Sequence, residues 1–235
     1  MIMFWDDEKI FWYQVASEYT KYHKNMAEVI KSIVPFGESM IDFGCGLGKL
    51  SLELSTHFDE IVGVDYDKRV LEILSEDISK YCLKNFKIVN ANCYDEKLKR
   101  VLKKTDNILF SHFGNVEEYF FRFSDYYKKR MIIIRNNEEK RIVHNPNKNT
   151  IFDICEFLDK FKIKYKIYKQ TFEFGQPLRD DDEVKYYLNK WYKEKGDELI
   201  KNVENIEYTY NYEHFTKYYC KPKSTAIAVI EKEDI

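Results

Sequence analysis

Three glycines spaced two residues apart, Gly44, Gly46 and Gly48, follow a short apolar run that contains an acid at Asp42. Glycine has no side chain, so Gly44 and Gly46 let the backbone turn sharply and approach a ligand, and Gly48 lets the next helix pack closely. The loop lies where a buried strand gives way to a helix, which is the ligand position in an open α/β sheet. The sequence therefore predicts a small-molecule binding loop.

The spacing of this loop indicates which ligand it holds. A dinucleotide-binding loop reads GxGxxG, with its third glycine at position 49, where this chain has Lys49. A dinucleotide-dependent oxidoreductase is therefore disfavoured. The carboxylate of Asp42 can accept hydrogen bonds from an ammonium group, and S-adenosylmethionine carries an ammonium and no pyrophosphate.

The run from Asp42 to Gly48 resembles the first motif of the class I methyltransferases, an acidic residue followed by GxGxG. The resemblance implies S-adenosylmethionine as the cofactor and S-adenosylhomocysteine as the product. It also implies that Asp42, Gly44, Gly46 and Gly48 bind the cofactor, together with Cys45 inside the loop.

An acid closes the second apolar run, at Asp65. A carboxylate about twenty residues after a glycine loop can hydrogen-bond the ribose hydroxyls of a nucleoside. The alternative is a helix cap for the run that begins at Lys68, a role that Asp67 could fill equally well. We predict Asp65 and its neighbour Tyr66 as cofactor residues.

The third apolar run is followed by Asn92 and Cys93. At this position the methyltransferase family usually presents an aspartate to the adenine amino group. The amide oxygen of Asn92 can accept from the same amine, although an asparagine that caps the next helix is the alternative. Cys93 is predicted to neighbour the adenine and not to act as a nucleophile.

Ser111, His112 and Phe113 follow the fourth apolar run, where the family commonly faces the transferred methyl group. We predict Ser111 as a cofactor residue, Phe113 as a substrate contact and His112 as the catalytic base. An unperturbed imidazole has a pKa of about 6.5 and can deprotonate a hydroxyl or amine. A histidine bonded to backbone is the alternative, because in-line methyl transfer mainly requires alignment in a dry pocket and a base is optional.

Short apolar runs alternate with amphipathic runs, a pattern that predicts a parallel sheet. The predicted strands are 39–43, 60–64, 86–90, 107–112 and 131–135, and the predicted helices are 49–57, 68–84, 96–103, 116–129 and 150–161. Segments 163–174 and 224–231 complete the sheet, and the resemblance implies that the last strand is antiparallel. The predicted fold is a doubly wound, seven-stranded, mostly parallel α/β sheet with helices on both faces.

One methyltransferase domain, residues 1–235, is predicted because no Pro/Gly/Ser-rich linker divides the chain. It comprises an N-terminal helical cap or lid (1–36), a cofactor-binding α/β core (37–174), a substrate-lid insertion between strands 6 and 7 (175–222), and the final strand with its tail (223–235). Aromatic residues of the cap and insertion are predicted to contact the substrate, with ordinary packing as the alternative: Trp12, Tyr19, Tyr210 and Tyr212.

Composition bounds the partners and the location. A formal charge of −2 gives no overall attraction for a phosphate backbone, so nucleic acid is disfavoured as a partner. The five cysteines are scattered without a CxxC pair, which indicates reduced thiols and no metal site. No apolar run approaches the roughly 20 residues of a membrane span. We expect a cytoplasmic monomer or homodimer without a membrane partner.

The predicted activity is methyl transfer to an O, N or S atom of a small-molecule acceptor. Base-modifying amino-methyltransferases carry a motif that resembles [ND]-P-P-[YF] after the fourth strand. This chain reads Ser111-His112-Phe113-Gly114 there and lacks that motif. Two alternatives remain open: a methyltransferase acting on protein or tRNA, and a non-catalytic module that binds S-adenosylmethionine.

Overall fold

The computed structural model describes residues 5–137 and 150–234. Contacts divide the chain into two compact units. Among the described residues, the first unit spans residues 23–137, 150–170 and 224–234, and the second spans residues 5–22 and 171–223. The N-terminal helix thus belongs with the late insertion, while the second helix belongs with the sheet that follows it.

The strands of the described ranges are β1 (Ser39–Phe43), β2 (Glu60–Asp65), β3 (Phe86–Asn90), β4 (Thr105–Ser111), β5 (Tyr127–Asn136), β6 (Lys166–Glu173), β7 (Gln176–Leu178), β8 (Val203–Tyr210), β9 (Glu213–Tyr219) and β10 (Pro222–Glu231). The helices of the same ranges are α1 (Asp7–Thr20), α2 (Tyr22–Ile33), α3 (Lys49–Leu54), α4 (Lys68–Lys80), α5 (Leu98–Val101), α6 (Val116–Tyr119), α7 (Ile151–Lys160), α8 (Asp181–Tyr192) and α9 (Gly196–Leu199).

The first unit is built on a seven-stranded sheet with the order β3-β2-β1-β4-β5-β10-β6. Strand β1 pairs in parallel with β2 and β4, β2 with β3, and β4 with β5, whereas β10 runs antiparallel to β5. This arrangement confirms the predicted fold class. Because β1, β2, β3 and β4 run in one direction, the loops that follow them all leave the same edge of the sheet.

The central strands are buried over almost their whole length and apolar at their centres, as expected where helices of a doubly wound sheet cover both faces. In β1, β2 and β4 nearly every residue is buried. Helix α4 is amphipathic and buries Val70, Leu71 and Leu74. The core therefore fixes the strands from both sides and leaves their carboxyl ends to carry polar residues.

One predicted helix, 116–129, is wrong in its second half. Helix α6 ends at Tyr119, a short 3₁₀ helix covers Ser124–Tyr126, and β5 begins at Tyr127, which pairs with Thr105 of β4. Phe120, Phe123 and Tyr126 are buried at spacings of three residues, which mimics helical periodicity. They fill the core from a turn and not from one continuous helix.

The second unit contains helices α1 and α8 and a three-stranded antiparallel sheet with the order β7-β9-β8. Asn211 and Tyr212 turn the β8–β9 hairpin with left-handed φ angles of 47° and 68°. Trp12 of α1 packs against Tyr187 of α8 with ring centroids 5.0 Å apart. Within the described ranges, no helix has the length and apolar character needed to cross a membrane.

Candidate functional site

The glycine loop after β1 is held in a left-handed conformation at all three of its glycines. The φ angles of Gly44, Gly46 and Gly48 are 72°, 53° and 62°. The backbone N–H groups of Gly44 and Cys45 both donate to the carbonyl of Val64 in β2, at 2.8 and 3.1 Å. Residues with a side chain adopt such angles only at an energetic cost, so the backbone path itself favours glycine.

Two of these glycines also lie in close contact with large side chains. A Cβ atom on Gly44 would be 2.4 Å from Cδ2 of Phe113, and one on Gly48 would be 2.5 Å from Cδ1 of Leu74 in α4. The loop is therefore packed against α4 at one glycine and covered by an aromatic ring at another. Phe113 and the glycine loop are brought together, as expected of residues at one edge of the sheet.

Asp65, the last residue of β2, is only 6% exposed and organises the loop through both of its oxygens. Its Oδ2 accepts from the N–H of Gly46 at 2.8 Å, and its Oδ1 accepts from the N–H of Asp67 at 2.9 Å. Burial raises the pKa of Asp65, and the hydrogen bonds from Asp67 and Gly46 oppose that rise. Each oxygen can accept further bonds, as hydroxyl groups of a ligand require.

The helix-cap alternative for Asp65 is filled by its neighbour. Asp67 is the N-cap residue of α4, and its side chain accepts from the N–H of Arg69 at 3.0 Å. Asp65 therefore has no capping role in α4 and remains a candidate ligand residue.

Asp42 of β1 is 3% exposed and carries an unsatisfied acceptor. Its Oδ2 accepts from the hydroxyl of Ser51 at 2.6 Å, while its Oδ1 is buried without a hydrogen-bond partner among the described residues. Burial raises the pKa of Asp42 to about 7. A buried lone acceptor beside a glycine loop suits a cationic donor such as an ammonium group, which is the group that the sequence predicted.

The predicted adenine-side residues follow β2 and β3. The side-chain oxygen of Asn92 accepts from the N–H of Tyr94 at 2.9 Å in a local turn. Asn92 does not cap the next helix, α5, because the N-cap position of that helix is Lys97. Cys93 is 8% exposed, and burial raises its pKa to about 12, so its thiol is a poor nucleophile at neutral pH. Burial raises the pKa of the Cys45 thiol as well. The side chain of Tyr66 is half exposed.

The loop after β4 turns sharply. Ser111 is partly buried, and His112 is exposed with a left-handed φ of 53°. The N–H of His112 donates to the carbonyl of Ile134 in β5 at 3.0 Å. The ring of Phe113 points back into the core and lies 5.4 Å from the ring of Phe110. Of the three predicted residues, Phe113 contacts the glycine loop and His112 lies at the turn beside it in sequence.

The other predicted substrate residues lie in the second unit. Trp12 is 5% exposed and belongs to that unit's core, and Tyr19 packs against Tyr208 and Tyr218 at 4.9 and 4.7 Å between ring centroids. Tyr210 contacts the edge of the ring of Phe11. Tyr212 is fully exposed at the hairpin turn. These four positions are accounted for by packing or by the turn, and their contact with substrate stays a prediction.

No group of histidine, cysteine, aspartate and glutamate residues within residues 5–137 and 150–234 is arranged to hold a metal ion. The candidate site therefore consists of Asp42, the glycine loop and Asp65, with Cys93 and Phe113 close to it. Sequence reasoning missed Ser51, whose buried hydroxyl donates to Asp42, and it also missed the buried Arg135 near the end of β5. The type and position of Arg135 gave no signal, because its partners are backbone carbonyls of a distant loop.

Comparison with known proteins finds similarity to methyltransferases. Residues 36–190 match a family model described as a methyltransferase domain. The chain is 25% identical over 183 residues to ribosomal RNA small subunit methyltransferase A of Mycoplasma mycoides subsp. mycoides, covering 73% of this chain and 67% of that protein. A second such methyltransferase, from Mycoplasma capricolum subsp. capricolum, is equally similar.

Solved structures share the fold at low sequence identity. Precorrin-6Y C5,15-methyltransferase of Geobacter metallireducens superimposes with a TM-score of 0.53 at 13% identity, covering 87% of this chain and 86% of that one. The YcgJ protein of Bacillus subtilis superimposes with a TM-score of 0.55 at 14% identity, covering 89% and 98% of the two chains.

Proposed function

The chain belongs to the methyltransferase domain family, and we propose that it transfers the methyl group of S-adenosylmethionine to an oxygen, nitrogen or sulfur atom of a small-molecule acceptor. Family membership makes the protein an enzyme that uses S-adenosylmethionine. The acceptor class and the roles of individual residues are our proposal.

The observation that carries the proposed cofactor site is the pair of buried carboxylates on either side of the glycine loop. Asp42 has a buried oxygen without a partner, which suits the ammonium of the cofactor, and Asp65 has acceptor capacity left for the ribose hydroxyls. The left-handed glycines between the two acids add no side chains of their own to the loop. The residues present therefore fit the cofactor that the family uses.

The bound cofactor supplies a methyl group on a positively charged sulfur. The protein's own residues orient the cofactor and exclude water, which are the main requirements of an in-line displacement. The ring of Phe113 covers the glycine loop and limits the access of water there. We assign His112 as the group that accepts a proton from the acceptor where the acceptor atom carries one.

The distribution of charge supports a small-molecule acceptor over a nucleic acid. The second unit, residues 4–22 and 171–223, contains 15 acidic residues and 11 basic ones. Such an excess of acids repels a phosphate backbone. An RNA acceptor is the second candidate, because the curated relatives at 25% identity are named as ribosomal RNA methyltransferases.

The acceptor class can be tested with cofactor that carries a radiolabelled methyl group. The enzyme is incubated with the labelled cofactor and an extract of the source cells, which is then divided into small molecules, protein and RNA. We expect label among the small molecules and none with an Asp65→Ala variant. Label that nuclease or protease releases from a macromolecule would overturn the proposed acceptor. Cofactor binding without transfer to any fraction would favour a non-catalytic module.

A further inference from the structure

A buried guanidinium lies beside the loop that follows β4. Arg135 of β5 is only 2% exposed, and its hydrogen bonds within the described residues all go to uncharged oxygens. Its Nη2 donates to the carbonyls of Phe113 and Gly114, the latter at 3.0 Å. The same nitrogen lies 3.4 Å from the hydroxyl of Tyr119, and Nη1 donates to the carbonyl of Ile134 at 3.2 Å.

Burying a cation is costly unless its hydrogen bonds are satisfied, and the buried Nε of Arg135 has no partner among the described residues, so this arrangement needs a compensating benefit. Burial lowers the pKa of Arg135, which reflects that cost. A less expensive residue could fill the same volume of the core. The fork of donors on an arginine, however, can hold several carbonyls at once, which an apolar side chain cannot do.

The loop that Arg135 holds is one that needs support. His112 and Gly114 both have left-handed φ angles, 53° and 48°, and a non-glycine residue in that region stores strain. The backbone of His112 is tied to β5 by one hydrogen bond to Ile134. Arg135 adds two bonds to the next two carbonyls, so the end of β5 fixes three consecutive residues of the loop.

The consequence of holding this loop is the position of the Phe113 ring. That ring lies so close to Gly44 that a Cβ atom there would be 2.4 Å from it. A continuous series of contacts therefore runs from Arg135 through the carbonyl of Phe113 to its ring and on to the glycine loop.

We propose that Arg135 is a positioning residue, which fixes the loop after β4 against the glycine loop and thereby sets the affinity of the enzyme for its cofactor. This inference rests on the proposed cofactor site. It predicts that charge alone is not sufficient at this position, because a lysine has one nitrogen where the arginine fork contacts several oxygens.

The test measures S-adenosylhomocysteine affinity by calorimetry together with thermal stability. We expect Arg135→Lys to weaken affinity by about tenfold to a hundredfold, the equivalent of losing hydrogen bonds to a charged group. Arg130→Lys is the matched control, because Arg130 lies on the same strand but pairs with Glu38 and Glu231. The control should lose stability and keep its affinity.

A double-mutant cycle separates positioning from general destabilisation. If Arg135 acts through Phe113, the variant with both Arg135→Lys and Phe113→Ala should bind little worse than Phe113→Ala alone. Full additivity, or wild-type affinity in Arg135→Lys, would overturn the inference. If Arg135→Lys does not fold, Gly114→Ala disturbs the same loop through its left-handed φ and should reproduce the loss, so unchanged affinity there also overturns it. Failure of the wild-type enzyme to bind the product would instead refute the proposed cofactor site.

Discussion

At the scale of single residues, the site depends on carboxylates that have two tasks each. Asp65 holds the glycine loop through the N–H of Gly46 and the next turn through the N–H of Asp67, and it is also the proposed partner of the ribose. Asp42 holds Ser51 through one oxygen and keeps the other for a ligand. Replacing either acid should therefore affect both the loop and the affinity.

We expect Asp65→Ala to weaken S-adenosylhomocysteine binding by about 1.5–3 kcal/mol, the scale for hydrogen bonds to a charged group. Calorimetric titration measures the change. Asp67→Ala is the control, because it removes the cap of α4 and should cost about 0.5–2 kcal/mol of stability without the loss of affinity. Equal affinity losses in the two variants would assign Asp65 a purely structural role.

The pKa of Asp42 predicts a pH dependence of stability. Burial raises this pKa from 3.8 to about 7, so the folded protein holds a proton that the unfolded chain releases above 3.8. The stabilisation from this proton is complete below 3.8 and is lost as the pH rises through about 7. The free energy of unfolding of the wild type should fall over this window relative to Asp42→Asn, as denaturant titrations can measure. Parallel pH profiles for the two proteins would contradict the shift.

At the scale of elements, the glycine loop is fixed by backbone conformation and by packing together. Gly48 begins α3 with a φ of 62° and lies against Leu74 of α4. A side chain at this position would meet both a strained backbone angle and a steric clash. The start of α3 can therefore approach Leu74 of α4 closely because residue 48 is a glycine.

Gly48→Ala is expected to lower the free energy of unfolding by about 1–3 kcal/mol, from left-handed strain and the clash with Leu74. Gly37 offers a matched control, because its φ is 82° but an added Cβ would make only ordinary contacts. Urea unfolding should show the larger loss in Gly48→Ala. Because the clash with Leu74 causes part of that loss, Leu74→Ala should lower the free energy of unfolding less in the Gly48→Ala background than in the wild type. An equal loss of unfolding free energy in Gly48→Ala and Gly37→Ala would mean that the clash with Leu74 does not destabilise the protein.

The central strands could be predicted from the sequence because they are buried and have short apolar runs at their centres. The segment 116–129 was mispredicted because Phe120, Phe123 and Tyr126 fill the core from turns at helical spacing. The small sheet β7-β9-β8 was not predicted from the sequence. Pairing between β7 and β9 joins residues far apart in sequence, which local periodicity does not reveal.

The candidate site could likewise be predicted only in part from the sequence. Asp42, the glycines and Asp65 could be found because their spacing along the chain reflects the strand–loop–helix unit that holds them. Arg135 could not, because its role exists only where the loop after β4 returns to the end of β5. Trp12 and Tyr212 were predicted as substrate contacts from their aromatic type. Trp12 lies in a core and Tyr212 at an exposed turn, and their contact with substrate stays a prediction.

At the scale of the whole molecule, the first unit has buried charged residues at both ends of its sheet. The glycine loop and its acids follow the carboxyl ends of the strands. At the other end, Glu38 is 7% exposed and accepts from Lys129 at 2.9 Å, Arg130 at 2.7 Å and Asn107 at 2.8 Å. Arg130 also pairs with Glu231 of β10, so this network joins the start of β1 to three other strands.

This separation predicts that Glu38→Gln changes stability without changing cofactor affinity. Burial raises the pKa of Glu38, but the hydrogen bonds from Lys129, Asn107 and Arg130 outweigh it and bring the pKa below its usual 4.5. A lowered carboxyl pKa gives stability that is present above 4.5 and is lost as the pH falls through the folded-state value.

Near neutral pH the free energy of unfolding of Glu38→Gln should therefore be about 1–3 kcal/mol lower than that of the wild type. The reason is that a charged acceptor of three hydrogen bonds is replaced by a neutral one. The difference should shrink below the usual glutamate pKa, where the unfolded wild-type chain is itself protonated. Urea titrations across this range measure the effect, and calorimetry with S-adenosylhomocysteine serves as the control. A pH-independent difference would mean that the charge of Glu38 is not what stabilises this end of the sheet, and a loss of affinity would mean that the two ends are coupled.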